Sequence, residues 1–289
     1  MLIQLMINGL VKGALIALAG LAFAIYYNTT RIFHIAFAGL YTLSCYFFFT
    51  YFQLFQNQWL PAFALTAVSI MLAGAVMEIL VYQTLSRKKS SLSVILVASI
   101  GMMIVIINLI AMFYGNEVKV IVSGIADSIQ LGDLIITHPQ VWQFGVSLFA
   151  IVFTLIFLRI TKWGKIIRAI RDDESLAMAS GINIWKTRVT LIAVSSLLAS
   201  IPAVLVAVDV GIDPYIGMPV LLSAVVALII GGIGRFEGPV LGGFFLGILQ
   251  ALVIWKFSTK WVEAITFVIL IIFLIFRPQG VLGEQKREV

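Results

Sequence analysis

Nine times along its length, at about 2–27, 32–54, 60–83, 92–114, 140–160, 189–209, 216–234, 239–256 and 261–276, this sequence stays apolar for long enough to cross or nearly cross a hydrocarbon core. The recurrence points to one fold class, an all-α, polytopic integral membrane helical bundle. With 62% hydrophobic and 11% charged residues and a mean hydropathy of +1.11, the composition lies far outside that of soluble domains. The apolar runs extend over residues 1–289, so a single transmembrane domain is expected, with no room for a soluble catalytic one. Leu2–Tyr27 lacks the basic start and small-residue cleavage site of a signal peptide and is read as the first membrane helix.

Orientation follows from Lys and Arg in short loops. Arg31, the run Arg87, Lys88 and Lys89, the 159–188 loop, Arg235, Arg277, Lys286 and Arg287 fall on one face, which accounts for 15 of the 19 basic residues. The other face holds Lys119, Lys256 and Lys260, with Glu117, Asp127, Asp133, Asp209 and Asp213. Strict alternation then places the N-terminus outside and the C-terminus in the cytoplasm, with Lys256 and Lys260 as the exception. The net charge of +6 therefore expresses topology and not nucleic-acid binding. Cys45 is the single cysteine, and His34 and His138 lie far apart, so neither a disulfide nor a metal site is expected.

The stretch Gly164–Arg188 is a charged island between two spans. Asp172 and Asp173 are expected to cap a short helix over Glu174–Ser180, and Gly181 to end it in a left-handed conformation. Such a helix is roughly 12 Å long. Lys162, Lys165, Arg168 and Arg171 precede it, and Lys186 and Arg188 come after it. By shape and charge it is a docking element, with the small Ala177 facing the partner.

Glycine spacing describes the packing. Gly234, Gly238 and Gly242, then Gly243 and Gly247, and Gly9 and Gly13, recur every four residues, a pattern that lets helix backbones approach closely within one chain. Gly231–Pro239 reads as a tight reversal, or as irregular backbone lining a pathway. Gly115–Pro139 reads as a short hairpin or a segment lying on the membrane surface. Among polar groups in the spans, Lys12 and Glu78 are assigned interfacial or structural roles, Asn8, Asn108 and Gln250 are neutral candidates, and His34 is open between a packing and a pathway role. No Ser–His–carboxylate arrangement and no G-x-x-x-x-G-K-[ST] phosphate loop is present in the sequence.

The pattern formed by Arg168, Ala169, Asp172, Asp173, Ala177, Gly181 and Ile182 resembles the cytoplasmic loop of permease subunits of branched-chain amino acid ABC importers. GGIGRFEGPVLGGFFLG at Gly231–Gly247, FRPQGVLG at Phe276–Gly283 and NGLVKGALIALAGLAFAIYY at Asn8–Tyr27 are similar to further stretches of that family, so the resemblance covers essentially the whole chain. After the first helix the chain departs from the family's Asn-Phe-Ala-His-Gly type sequence, reading His34, Ile35, Ala36, Phe37, Ala38, Gly39. The resemblance implies the ABC importer permease fold in a bacterial or archaeal inner membrane. Its substrates would be branched-chain or other small neutral amino acids, with urea or short amides as the alternative and secondary transport as a more distant one.

It also implies that this subunit carries no cofactor and no catalytic residue of its own. ATP and Mg would be bound by cytoplasmic ATPase subunits, and the remaining partners would be a second permease, an extracytoplasmic solute-binding protein and membrane lipid. Arg168, Ala169, Asp172, Asp173, Glu174, Ala177, Gly181 and Ile182 would couple to the ATPase. Asn8, His34, Gly39, Gly231, Gly232 and Gly234 are candidates for the translocation path, and Gly9, Gly13, Gly238, Gly242, Gly243 and Gly247 for helix packing.

Overall fold

The computed structural model describes residues 2–121, 128–131, 134–277 and 279–283. Asp127, Asp133, Lys286 and Arg287, used in the charge sorting, lie outside the described residues. In chain order the helices are α1 (Leu2–Thr30), α2 (Phe37–Leu54), α3 (Trp59–Met77), a π turn at Glu78–Tyr82, α4 (Gln83–Arg87), α5 (Leu92–Tyr114), α6 (His138–Ile160), α7 (Lys162–Asp172), α8 (Glu174–Ala179), α9 (Ile184–Val210), α10 (Gly217–Gly231), α11 (Gly238–Lys256) and α12 (Val262–Phe276). Strands β1 (Ser128–Leu131) and β2 (Leu134–Thr137) form an antiparallel hairpin between α5 and α6, with Ser128 opposite Thr137. Every apolar segment becomes helical. Among the described residues seven helices are long and apolar enough to span a membrane, with α3, the π turn and α4 taken together as Trp59–Arg87 and α12 with the 3-10 turn before it as Thr259–Phe276, while α10, at 15 residues, is shorter. The segment expected to begin near 189 starts earlier, because Asn183 caps α9 by accepting from the Lys186 amide at 3.1 Å.

The helices form two compact units, each assembled from distant stretches of chain. The first comprises Met1–Ala24, Gly124–Leu155 and Pro219–Val289. Its centre is a glycine seam. Cβ atoms added at Gly243 and Gly247 of α11 would collide with the backbone at Ala17 and at Gly13 and Gly9 of α1, and one added at Gly242 with the backbone at Ala227 of α10. Such close approach lets van der Waals contact replace the hydrophobic drive that lipid does not supply. Gly232 and Gly234, at φ of 110° and 101°, turn the chain from α10 into α11, where Pro239 occupies the first turn. Carbonyls left free at the end of α10 accept from the amides of Val281 and Leu282, at 2.8 and 3.0 Å.

The second unit comprises Ile25–Ser123 and Ile156–Met218. Here α2, α3 and α9 pack together, with Gly74 of α3 against Ile192 and Ser196 of α9. Lys119 and Ile212 exchange backbone hydrogen bonds of 2.9 Å, tying the segment after α5 to the one after α9. The same unit carries the charged island and a cluster of buried polar side chains.

Candidate functional site

The island holds two helices where one was expected. Thr161 caps α7 by accepting from the Gly164 amide at 3.1 Å, and Gly164 is so close to the Leu158 backbone that no side chain fits there. The guanidinium of Arg168 donates to the Leu158 carbonyl and, at 3.4 Å, to that of Arg159, placing a cation on the C-terminal end of α6. Alternation of Ile166, Ile167 and Ile170 with Lys162, Lys165 and Arg168 makes α7 amphipathic, a period masked in the sequence because the basic residues dominate it.

Asp173 alone caps α8. Its Oδ1 accepts from the Leu176 amide at 3.0 Å and from the Ser175 hydroxyl at 2.6 Å, and these bonds, the Ser175 hydroxyl foremost, hold its carboxyl below the ordinary range. Asp172 is instead the last residue of α7, paired with Arg171 at 2.8 Å, because α7 continues through Arg171 and leaves it no exposed amides to serve. Gly181 has φ of +83°. The Ile182 amide donates to the Ala177 carbonyl at 3.1 Å and the Gly181 amide to that of Met178 at 3.0 Å, the paired bonds of a Schellman ending.

Ala177 does not face outward. It is 3% exposed and forms with Ile170 and Ile184 a small apolar core, flanked by Ile166 and Ile182. This corrects the expected contact role: the methyl is needed because α7 and α9 converge on it. The outer surface of α8 is made by Glu174, Leu176 and Met178, with Asp172 and Ala169 of α7 beside it. Leu176 and Met178 were missed by sequence reasoning, since two apolar residues on a membrane protein's loop carry no signal until the fold shows Ala177 buried between them.

Arg188, which flanks the short helix in sequence, is a buried charge. Its Nε donates to Glu78 Oε1 at 2.8 Å, with side-chain exposures of 8% and 0%, and its Nη1 donates to the Ser86 hydroxyl at 3.2 Å. Tyr26 donates its hydroxyl to Glu78 Oε2 at 2.5 Å. Gln83 Nε2 donates to the Trp185 carbonyl at 2.7 Å, and the guanidinium groups of Arg87 and Arg188 lie 5.1 and 5.5 Å from the Trp185 ring. A lone carboxylate at Glu78 and a basic residue at 188 were visible in the sequence, but nothing there pairs positions 110 residues apart.

His34, in the non-helical link between α1 and α2, is buried with Nδ1 2.7 Å from the Tyr82 hydroxyl, which lies 2.8 Å from that of Ser99. Ser99 Oγ also accepts from the Ala36 amide at 2.9 Å. Gly39 packs on Ile106 of α5. In the first unit Asn8 accepts from Gln4 and Gln140 near the hairpin, whereas Gly231, Gly232 and Gly234 lie at the opposite end of α11, about 15 Å away along its axis.

The sequence profile of the family described as "Branched-chain amino acid transport system / permease component" matches residues 5–274. The chain is 26% identical to the high-affinity branched-chain amino acid transport system permease protein BraD of Pseudomonas aeruginosa, over 99% of this chain and 97% of that one. It is 27% identical to the corresponding permease protein LivH of Escherichia coli K12, again over 99% and 97%. Among solved structures, PsaBC from Streptococcus pneumoniae in complex with Fab aligns over 94% of this chain and 91% of its own, with a TM-score of 0.53 at 14% identity, a likeness of fold. A match over nearly the whole length, joined to seven membrane-spanning helices, leads to one conclusion: this multi-pass membrane protein belongs to the permease-component family of branched-chain amino acid transport systems.

Proposed function

We propose that this permease subunit imports branched-chain or other small neutral amino acids at the expense of ATP bound, with Mg, and hydrolysed by partner ATPase subunits docked on α8. The observation that carries the reading is α8 itself: a six-residue helix capped at both ends, seated on its own apolar core, and turning Glu174, Leu176 and Met178 outward. Two apolar side chains rimmed by carboxylates suit a partner groove with an apolar floor and a basic edge. The names of the relatives support the substrate class. A second permease chain and an extracytoplasmic solute-binding protein complete the proposed assembly in a bacterial or archaeal inner membrane.

The proposed orientation has the N-terminus outside and α8 in the cytoplasm. Contacts within each unit are consistent with alternating spans. Gln4 donates to the Ile135 carbonyl at 2.8 Å, which puts the start of α1 on the hairpin's face, and the Lys119–Ile212 pair puts the ends of α5 and α9 on one face. A cysteine at His138 should be labelled from outside and one at Ser90 from inside only; the reverse pattern would overturn the orientation.

The direct test is reconstitution of the complex purified from native membranes, with uptake of leucine, valine, urea and acetamide measured. ATP-dependent leucine uptake is expected. Uptake of urea alone would replace the substrate class, and uptake driven by an ion gradient without ATP would replace the mechanism. Leu176→Glu with Met178→Glu should release the ATPase while the permease stays folded, whereas Ala177→Glu should disorder the island itself.

A further inference from the structure

The polar contacts of the second unit converge on one short piece of backbone, the π turn Glu78–Tyr82 between α3 and α4. Its first residue, Glu78, is bonded to Arg188 and Tyr26. Its last, Tyr82, is bonded to His34 and Ser99. Two hydrogen-bond networks, one from the charged island and one from the non-helical link at His34, are thus fastened to the same turn, and the Tyr26 ring packs beside it on His34 and Tyr82 at centroid distances of 5.4 and 6.1 Å.

We propose that this π turn is the joint through which displacement of α8 reaches the His34 link, with Glu78 and Arg188 as its positioning residues. The inference rests on the reading of α8 as the ATPase-docking element. Movement applied to α8 cannot be absorbed locally, because Ala177 packs on Ile184 and the chain enters α9 immediately after the Gly181 turn. Arg188 lies one helical turn beyond Ile184 and holds Glu78 and Ser86, while the Trp185 carbonyl holds Gln83. The start of α9 therefore grips both sides of the π turn.

A π turn carries one residue more than an α-turn and often marks a functional position in a helix. Removing that extra residue by a register shift would rotate the end of the turn and α4 by about 100°, carrying Tyr82 away from His34. The proposed shift gives the turn a second arrangement beside the one observed, and two such arrangements are what a transmitted displacement requires. Both ends of the network also hold a buried hydrogen-bonding group with no partner among the described residues, Arg188 Nη2 and His34 Nε2. Unspent groups of this kind are expensive in a finished core. Here each gives its side chain a bond to form after the shift.

The test uses the purified native complex carrying Glu78→Gln together with Arg188→Met, which removes both charges, keeps the approximate volume and leaves Tyr26 an acceptor. A purely structural ion pair tolerates such joint neutralisation. The expected result is retained ATPase association, retained ATP hydrolysis and normal thermal stability, with leucine uptake per ATP reduced at least tenfold. Uptake per ATP equal to wild type would overturn the joint. Loss of association or of stability in the double variant would also overturn it, because any fall in uptake would then follow from a damaged fold and not from a broken joint. ATP-driven uptake by the wild-type complex, measured in parallel, separates failure of this inference from failure of the transport reading.

Discussion

Along the α1–α11 seam of the first unit, helices are held by what their side chains lack; between the π turn and α9 of the second, by what theirs carry. The seam places Gly243 and Gly247 against Ala17 and Gly13, backbone to backbone. The joint places Glu78 against Arg188 and Tyr26, with charge and hydrogen bonds buried from solvent. Both answer the same difficulty, since apolar side chains gain little by leaving lipid for one another. They differ in what they permit. A glycine seam has one close-packed geometry and nothing to exchange, whereas a polar cluster can re-pair its donors and acceptors.

The comparison is broken most severely by removing half of the ion pair. Glu78→Ala leaves Arg188 buried without its countercharge and should destabilise the protein by about 3–5 kcal/mol, read as a lowered melting temperature in detergent. The paired replacement Glu78→Gln with Arg188→Met should recover most of that loss, which distinguishes an unpaired charge from a lost contact.

Next comes the seam. Gly247→Val inserts a side chain where even a Cβ meets the Gly13 backbone, and α1 must move away. Overpacking of this kind costs about 1–3 kcal/mol. No single change on α1 offers relief, because the obstruction is main chain. If Gly247→Val melts like wild type, the seam is looser than the geometry describes.

How much of this was legible in the sequence depends on the range of the interactions. Apolar runs marked the spans, and Gly181 announced the end of α8, because both signals are local. The glycine repeats marked small faces without saying which helix each would meet. Asp172 was assigned to the wrong helix since α7 was not recognised, and without α7 the burial of Ala177 could not be foreseen. The burial of Arg188 has no local signal, because its partner Glu78 lies 110 residues earlier. The joint escaped sequence reasoning altogether, as a π turn has no residue signature of its own.

Smaller effects are expected in the island. Gly181→Val forces a branched side chain into the left-handed region at a cost of about 1 kcal/mol or more, so ATPase co-purification should fall while the amount of permease in the membrane is unchanged. Asp173→Ala should fray α8, and Asp173→Asn, which keeps the acceptor, should not. The depressed carboxyl pKa sets the sign for acid: the cap's contribution is fully present above the ordinary carboxylate pKa and is lost as pH falls through the lowered folded value. Protection of the Leu176 amide against hydrogen exchange should therefore be unchanged, after correction for intrinsic exchange, from pH 8 to pH 5. A loss of protection within that window would mean that another titrating group holds α8.

The smallest effect tests whether glycine in this protein matters as a residue or as a contact. Gly101 of α5 and Gly145 of α6 lie within spans like the seam glycines, yet an added Cβ at either meets no atom within 4 Å. Both have ordinary helical backbone, so alanine introduces no left-handed strain, and its lower conformational freedom in the unfolded chain favours the folded state. Gly101→Ala and Gly145→Ala should each raise stability by about 0.5–1 kcal/mol at most, with transport unaltered. Destabilisation comparable to that of Gly247→Val would show that these positions face another protein surface, and the seam would lose its distinction as the place where the absence of a side chain is required.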